Sequence, residues 1–106
     1  GPSLLAKLWI NTPGNGMRMA AGVVTFSGVV QPDAGQPRGL VTDSNDTLLT
    51  SQYAQTGTEA DADGWREWSV SLTLEAGSYL VRVETTWTDD AGNQQTSQET
   101  RSITVE

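Results

Sequence analysis

The sequence contains no cysteine and no histidine, and these two absences remove most of the side chains on which enzymes and zinc sites depend. Without cysteine the chain has neither disulfides nor thiolate nucleophiles, and without histidine it lacks the commonest general base and the usual zinc ligand. Only carboxylates remain for catalysis or for binding a hard cation. Nothing in the sequence marks the cleft in which a pair of carboxylates would act on a glycosidic bond. We therefore expect a protein that is not an enzyme.

Positive charge and long apolar runs are also scarce. Six basic residues stand against thirteen acidic ones, which gives a net charge of −7 at pH 7. This charge repels a phosphate backbone, so we expect no nucleic acid partner. No apolar run approaches the roughly 18 residues of a membrane-spanning helix, so we expect no direct membrane insertion.

The length of 106 residues predicts one domain. Gly1-Pro2-Ser3 resembles the remnant that a protease leaves when it removes an expression tag. We therefore assign residues 1–3 to a tag remnant and residues 4–106 to a single domain.

The main pattern in the sequence is a two-residue alternation of apolar and polar side chains. The clearest case is residues 67–74, where Trp68, Val70, Leu72 and Leu74 alternate with polar residues, as in a half-buried antiparallel strand. Similar patterns and turn signals predict strands at 8–10, 23–30, 39–42, 48–53, 67–74, 79–87 and 94–105, with a long acidic loop at 55–64. Seven strands at this spacing predict an all-β, immunoglobulin-like Greek-key sandwich of about seven antiparallel strands. Its predicted core centres on Trp68, Val70, Leu72, Val81 and Val83.

Two turn regions carry specific local predictions. Tyr79 follows a turn glycine at the start of a strand, so its hydroxyl can bond to a backbone group at the corner of the sheet. In the segment 89–93, short polar side chains can bond to nearby backbone, and Gly92 can supply a positive φ. Both features are explained by structure alone.

Several of these stretches together resemble bacterial immunoglobulin-like domains. The matching segments are Gly64-Trp65, Trp68 to Leu72, Glu75 to Val83 and Thr88 to Asn93; Trp9 to Pro13 and Val24 to Gly28 look like the N-terminal half of the Gmad2-type or a related fibronectin III-like module. The resemblance implies an exported protein at the cell surface or in the cell wall. It also implies a role in adhesion or spacing, with neighbouring domains of the same chain, or a protein or glycan, as partners.

An acidic segment is the one candidate for a metal site. Glu59, Asp61 and Asp63 alternate and precede Gly64, which is similar to the first half of a calcium loop. The twelfth position from Glu59 is Val70 rather than a bidentate Glu, so the segment is no EF-hand. Two alternatives follow: weak calcium binding at Glu59, Asp61 and Asp63, or a solvated acidic loop with no cofactor.

The tryptophans divide by their phase in the predicted strands. Trp68 and Trp87 lie in phase with apolar faces and are expected in or at the edge of the core, whereas Trp65 is out of phase and is the best candidate for an exposed aromatic. Trp9 fits either environment. The leading hypothesis is a non-catalytic structural or interaction module, and the alternative is a carbohydrate-binding module that uses Trp65 and Trp9.

Overall fold

The computed structural model describes residues 7–62 and 64–106, and the regular secondary structure of these residues consists of β-strands. The strands are β1 (Leu8–Thr12), β2 (Met17–Met19), β3 (Gly22–Val30), β4 (Arg38–Asp43), β5 (Leu48–Tyr53), β6 (Gln55–Ala60), β7 (Arg66–Leu74), β8 (Gly77–Thr88) and β9 (Gln94–Val105). The predicted tag remnant at residues 1–3 lies outside the described residues. Within those residues no helix is long and apolar enough to cross a bilayer.

The strands form two sheets with the order of an immunoglobulin-like sandwich. Sheet I has the order β1-β3-β7-β6, and sheet II has the order β2-β9-β8-β4-β5. Taken as A, B, E and D, the strands of sheet I match one sheet of the immunoglobulin fold. Sheet II holds the G, F and C strands, extended by the C′ strand that variable-type domains add. The predicted fold class is therefore confirmed.

Two strands, β2 and β6, add to the seven that the sequence predicts. β2 pairs with β9 in parallel register, from Met17 opposite Ile103 to Met19 opposite Val105. β6 occupies most of the segment predicted as an acidic loop and pairs with β7. β2 is three residues long, and every residue of β6 is exposed, so neither strand has the one buried face that produces apolar alternation.

The core lies between the inward faces of the two sheets. On sheet I, β3 and β7 pair Val24 with Leu72 and Phe26 with Val70, and all four side chains are buried. On sheet II, Val81 and Val83 of β8 have no exposed area. The five residues predicted to form the centre of the core, Trp68, Val70, Leu72, Val81 and Val83, are all buried, which confirms the phase of both predicted strands.

Side-chain bonds to the backbone close both of the predicted turns. The Tyr79 hydroxyl donates to the carbonyl oxygen of Glu75 at 2.7 Å, as expected of a tyrosine corner. In the turn between β8 and β9, Asp89 Oδ1 accepts the backbone N–H groups of Ala91 at 3.0 Å and Asn93 at 2.8 Å, and Gly92 has a φ of 85°. These contacts confirm both local predictions.

The carboxylate of Asp89 makes the stability of this turn depend on pH. The backbone N–H of Asn93 and then the side chain of Gln95 lower the pKa of Asp89 from its ordinary value of 3.8, because they stabilise the charged form. Because the pKa of Asp89 is lower in the folded protein than in the unfolded chain, its carboxylate stabilises the fold fully above about pH 4. This stabilisation is lost as the pH falls through the pKa of the folded state.

We expect Asp89→Asn to lower the melting temperature at pH 7 and to differ less from the wild type as the pH falls below about 4. Thermal unfolding from pH 7 to 2.5 would measure this difference, with Asp90→Asn as the control that removes the same charge from the same turn. A difference that stays constant across the range would show that the Asp89 carboxylate does not contribute in this way.

Candidate functional site

Three of the residues predicted as candidate sites, Glu59, Asp61 and Trp65, lie along the outer face of sheet I. Glu59 is on β6, Asp61 is in the turn that follows, and Trp65 immediately precedes β7. With Val29, Gly57 and Glu67 they line an open groove of about 440 Å³. We call this surface the tryptophan groove.

Backbone bonds to Asp61 hold the turn beside the groove. Asp61 donates its backbone N–H to the carbonyl oxygen of Trp65 at 2.7 Å, and its Oδ1 accepts the backbone N–H of Trp65 at 3.0 Å. Gly64 donates to the Asp61 carbonyl oxygen at 3.0 Å and has a φ of 86°, which glycine adopts without steric cost. The Asp61 carboxylate therefore has a structural role in the turn, whether or not it binds a ligand.

Asp63, the third residue of the predicted calcium site, lies outside the described residues. Among the residues that are described, no three His, Cys, Asp or Glu side chains are grouped as metal ligands. The complete set of Glu59, Asp61 and Asp63 is therefore not tested by the structure, and calcium binding stays a prediction.

If the acidic turn binds calcium, we expect a dissociation constant of roughly 10⁻⁴ to 10⁻³ M, since the sequence lacks a complete loop. Calcium at ten times that concentration would then stabilise the fold by only about 1.4 kcal/mol. Calorimetric titration of EDTA-treated protein, with Asp61→Asn as control, would measure the affinity. No heat and no change in melting temperature at about 10 mM calcium would rule out a site of this strength.

Trp65, predicted as the best candidate for an exposed aromatic, is less exposed than Trp9, for which the sequence left both environments open. Trp65 is half-buried beside the residues of the β6–β7 turn, whereas Trp9 on β1 is 48% exposed. Trp9 faces outwards because Leu8 and Ile10, its neighbours on β1, point into the core. It is paired with Val29, which itself lines the tryptophan groove. The structure thus places both tryptophans on the same sheet face, on either side of one strand.

A second surface, on the outer face of sheet II, was not anticipated from the sequence. Seven large hydrophobic side chains are exposed among the described residues, and the register places three of them on this face: Leu48, Tyr53 and Leu80. We call these three residues the apolar face; Leu49, which is also exposed, lies where the register of β4 with β5 shifts. The register joins them, since Thr42 is paired with Leu48 on one side and with Leu80 on the other. The sequence does indicate that Leu80 is exposed, because it alternates with Val81 and so faces outwards together with Arg82 and Glu84.

The apolar face has little charge for so acidic a chain. On the outward side of β4, β5 and β8 only Arg38, Arg82 and Glu84 are charged, so two cations face one carboxylate. Arg38 lies 5.6 Å from the centre of the Tyr53 ring and donates to the Ser51 hydroxyl at 3.0 Å. Arg82 and Glu84 form an ion pair at 3.6 Å. Tyrosine and arginine are enriched, and carboxylates depleted, in protein interfaces in general.

Comparison with known proteins supports the fold and identifies no family. No family model matches the chain, and no curated protein matches it. Among solved structures, CopC from Methylosinus trichosporium OB3b is similar with a TM-score of 0.59 and 18% identity, over 93% of each chain. Murine CRIg is similar with a TM-score of 0.57 and 15% identity, over 93% of this chain and 98% of that one. At these identities the likeness establishes a shared β-sandwich fold.

Proposed function

We propose that this chain is a non-catalytic interaction module that binds a protein partner through the apolar face of sheet II. The observation that carries the proposal is the gathering of Leu48, Tyr53 and Leu80 on one side of the sandwich. Contiguous apolar surface of this kind, bordered by polar side chains, is typical of a binding site. The tyrosine is a strong candidate for a binding hot spot, because aromatic side chains supply large contact area at low conformational cost.

Binding to the cells that naturally produce the chain tests this proposal. We expect fluorescently labelled protein to bind those cells and Leu80→Asp to lose most of the binding, because a buried unpaired carboxylate is costly. Thr96→Asp, which adds the same charge to β9 of the same sheet, should bind like the wild type. Protease treatment of the cells should abolish binding. Equal binding by both variants, or no binding by the wild type, would contradict the proposal.

A second candidate function is glycan binding in the tryptophan groove. It is favoured by the position of Trp9 and Trp65 on one sheet face, where Val29 of β3 is paired with Trp9 on one side and with Glu67 of β7 on the other. Glu67 and Trp65 both line the groove. An indole face can stack on a sugar ring while a carboxylate accepts hydrogen bonds from its hydroxyls. This arrangement supports the carbohydrate-binding alternative without a catalytic role.

A glycan array and a cell-wall pull-down distinguish the two candidates. If the groove is the site, Trp65→Ala and Trp9→Ala should each reduce glycan binding, and Leu80→Asp should not. If the apolar face is the site, Leu80→Asp should reduce the protease-sensitive binding to cells, and Trp65→Ala and Trp9→Ala should not. Glycan binding that survives both tryptophan substitutions would exclude the groove.

We further propose that the module belongs to an exported protein and is displayed at a cell surface, as the resemblance to Gmad2-type and related bacterial immunoglobulin-like domains implies. The support is the motif pattern together with the sandwich fold. Fractionation of the producing cells, followed by detection with an antibody to this chain, tests it. Recovery only from the cytosolic fraction would contradict an exported location.

A further inference from the structure

We propose that Arg66 is the centre of a binding site for a small carboxylate ligand, in a cavity at one end of sheet I. The cavity has a volume of about 330 Å³ and lies between the β3–β4 connection and the start of β7. Its lining includes Val30, Gln31, Pro32 and Gln36 together with Arg66. A cavity of this size accommodates a small molecule. The site is separate from the apolar face and goes beyond the proposed function.

The position of Arg66 on β7 turns its side chain towards the core side of sheet I. Arg66 is paired with Val30 of β3, whose side chain is buried, and paired residues project to the same side of a sheet. It is also in phase with the buried Trp68. Arg66 Nε is itself buried, and within the described residues it has no hydrogen-bond partner. A buried donor without an acceptor costs free energy, which a ligand oxygen bonded to this atom would recover.

The electrostatic environment of Arg66 differs from that of the other basic residues. Four of them form ion pairs with carboxylates: Lys7, Arg18, Arg82 and Arg101. A fifth, Arg38, lies 5.6 Å from the centre of the Tyr53 ring. Arg66 forms neither kind of contact with a described residue. In a chain with thirteen acidic residues, its guanidinium therefore remains free to bind an external carboxylate.

The lining of the cavity suits a ligand with one negative charge. No Asp or Glu is among the described residues that form it. Asp33, in the same connection, is paired with Lys7 at 2.8 Å, and Glu67, next to Arg66, lines the tryptophan groove on the outer face. The amide and hydroxyl groups of the lining can donate further hydrogen bonds. A single guanidinium balances one negative charge, and its planar fork matches the two oxygens of a carboxylate.

Hydrogen bonds fix the walls of the cavity. Gly35 donates its N–H to the carbonyl oxygen of Thr86 on β8 at 2.7 Å. Gln36 Nε2 donates to the carbonyl oxygen of Ala54, between β5 and β6, at 2.7 Å. The β3–β4 connection is thus held on two sides, and a preformed cavity loses little conformational freedom on binding. The apolar side chains of the lining can contact the hydrocarbon part of the ligand, so we expect a monocarboxylate with an apolar body.

Titration of this chain with sodium butyrate, observed by NMR of the arginine Nε–H groups, tests the proposal directly. We expect the Nε–H resonance of Arg66 to shift saturably, with a dissociation constant of roughly 1 mM, as for a very small ligand. The Nε–H resonance of Arg38 should not shift. Sodium chloride at the same ionic strength should leave both unchanged. Absence of a saturable shift at Arg66 would overturn the inference.

Two variants separate a carboxylate site from a general effect of charge. Arg66→Lys keeps the positive charge but loses the planar fork, so it should raise the dissociation constant for butyrate by at least about tenfold. Arg18→Gln removes a cation from the exposed strand β2 and should bind like the wild type. Backbone amide spectra show whether each variant is folded, and the wild-type titration decides alone if Arg66→Lys is not. Unchanged affinity in a folded Arg66→Lys variant would contradict the site.

Further ligands identify the source of the carboxylate. A trialanine peptide with a free C-terminal carboxylate is compared with butyrate, and the same peptide with a C-terminal amide is the control. Tighter binding of the free peptide than of butyrate, with no binding of the amide, would support a peptide C-terminus as the ligand. Binding of butyrate at least as tight as that of the peptide would support a free organic acid. Inorganic phosphate should bind more weakly than either, and tighter binding of phosphate would overturn the assignment to a carboxylate.

Discussion

Replacing Trp68 with alanine should lower the free energy of unfolding by about 3 to 5 kcal/mol. The indole is only 2% exposed and lies on β7 within the core. Its Nε1–H donates to the carbonyl oxygen of Val29 at 3.1 Å, so the substitution also leaves a backbone acceptor without this partner. The cost therefore combines a large cavity with a lost hydrogen bond.

Chemical denaturation at equilibrium measures the effect of Trp68→Ala, and Trp9→Ala is the matched control. Trp9 lies on the same sheet but is 48% exposed. We expect that variant to lose less than about 1 kcal/mol. If Trp68→Ala lowers the free energy of unfolding as little as Trp9→Ala does, the inward-facing residues of β7 do not form the centre of the core.

Introducing a single methyl group at Gly28 should be nearly as damaging. A Cβ atom at this position would lie 1.8 Å from the carbonyl oxygen of Trp9 and 2.9 Å from the Trp68 ring. The first of these atoms belongs to the backbone of β1, so the strand itself has to move. We expect Gly28→Ala to cost about 3 kcal/mol, at the upper end of the usual range for overpacking.

The control for Gly28→Ala is Gly57→Ala on β6, where the nearest atom to an added Cβ is the Glu67 carbonyl oxygen at 3.5 Å. That variant should unfold within about 0.5 kcal/mol of the wild type. A second comparison adds Trp68→Leu to Gly28→Ala. The smaller side chain should not restore stability, because the clash with the Trp9 carbonyl remains. Full rescue would place the strain on the indole instead of the backbone of β1.

The sequence was most informative where one face of a strand is buried. The bounds of β3 and β7 are nearly those predicted, because burial of one face imposes a two-residue period. The bounds of β5, which is exposed throughout, and of β9 match the prediction because a polar turn segment precedes each strand. β2 and β6 were missed because backbone pairing alone defines them. Their side chains are largely exposed, so no apolar pattern records their position.

The candidate sites were predicted less completely than the fold. Glu59, Asp61 and Trp65 do line one groove, but the relative exposure of Trp65 and Trp9 depends on how the β6–β7 turn lies against the sheet. The apolar face depends on the order of the strands in sheet II. Leu48 and Leu80 are distant in sequence and meet only because β4 lies between their strands. Sheet order, which short-range patterns do not encode, creates that surface.

Site-specific photo-crosslinking in the cells that naturally produce the chain tests most directly whether the apolar face is the binding surface. A photoreactive amino acid would be placed singly at Tyr53 and Leu80 on sheet II, and at Trp65 and Ser71 on the outer side of sheet I. We predict covalent protein adducts from positions 53 and 80, with none above background from positions 65 and 71. Adducts concentrated at position 65, or equal at all four positions, would contradict the account.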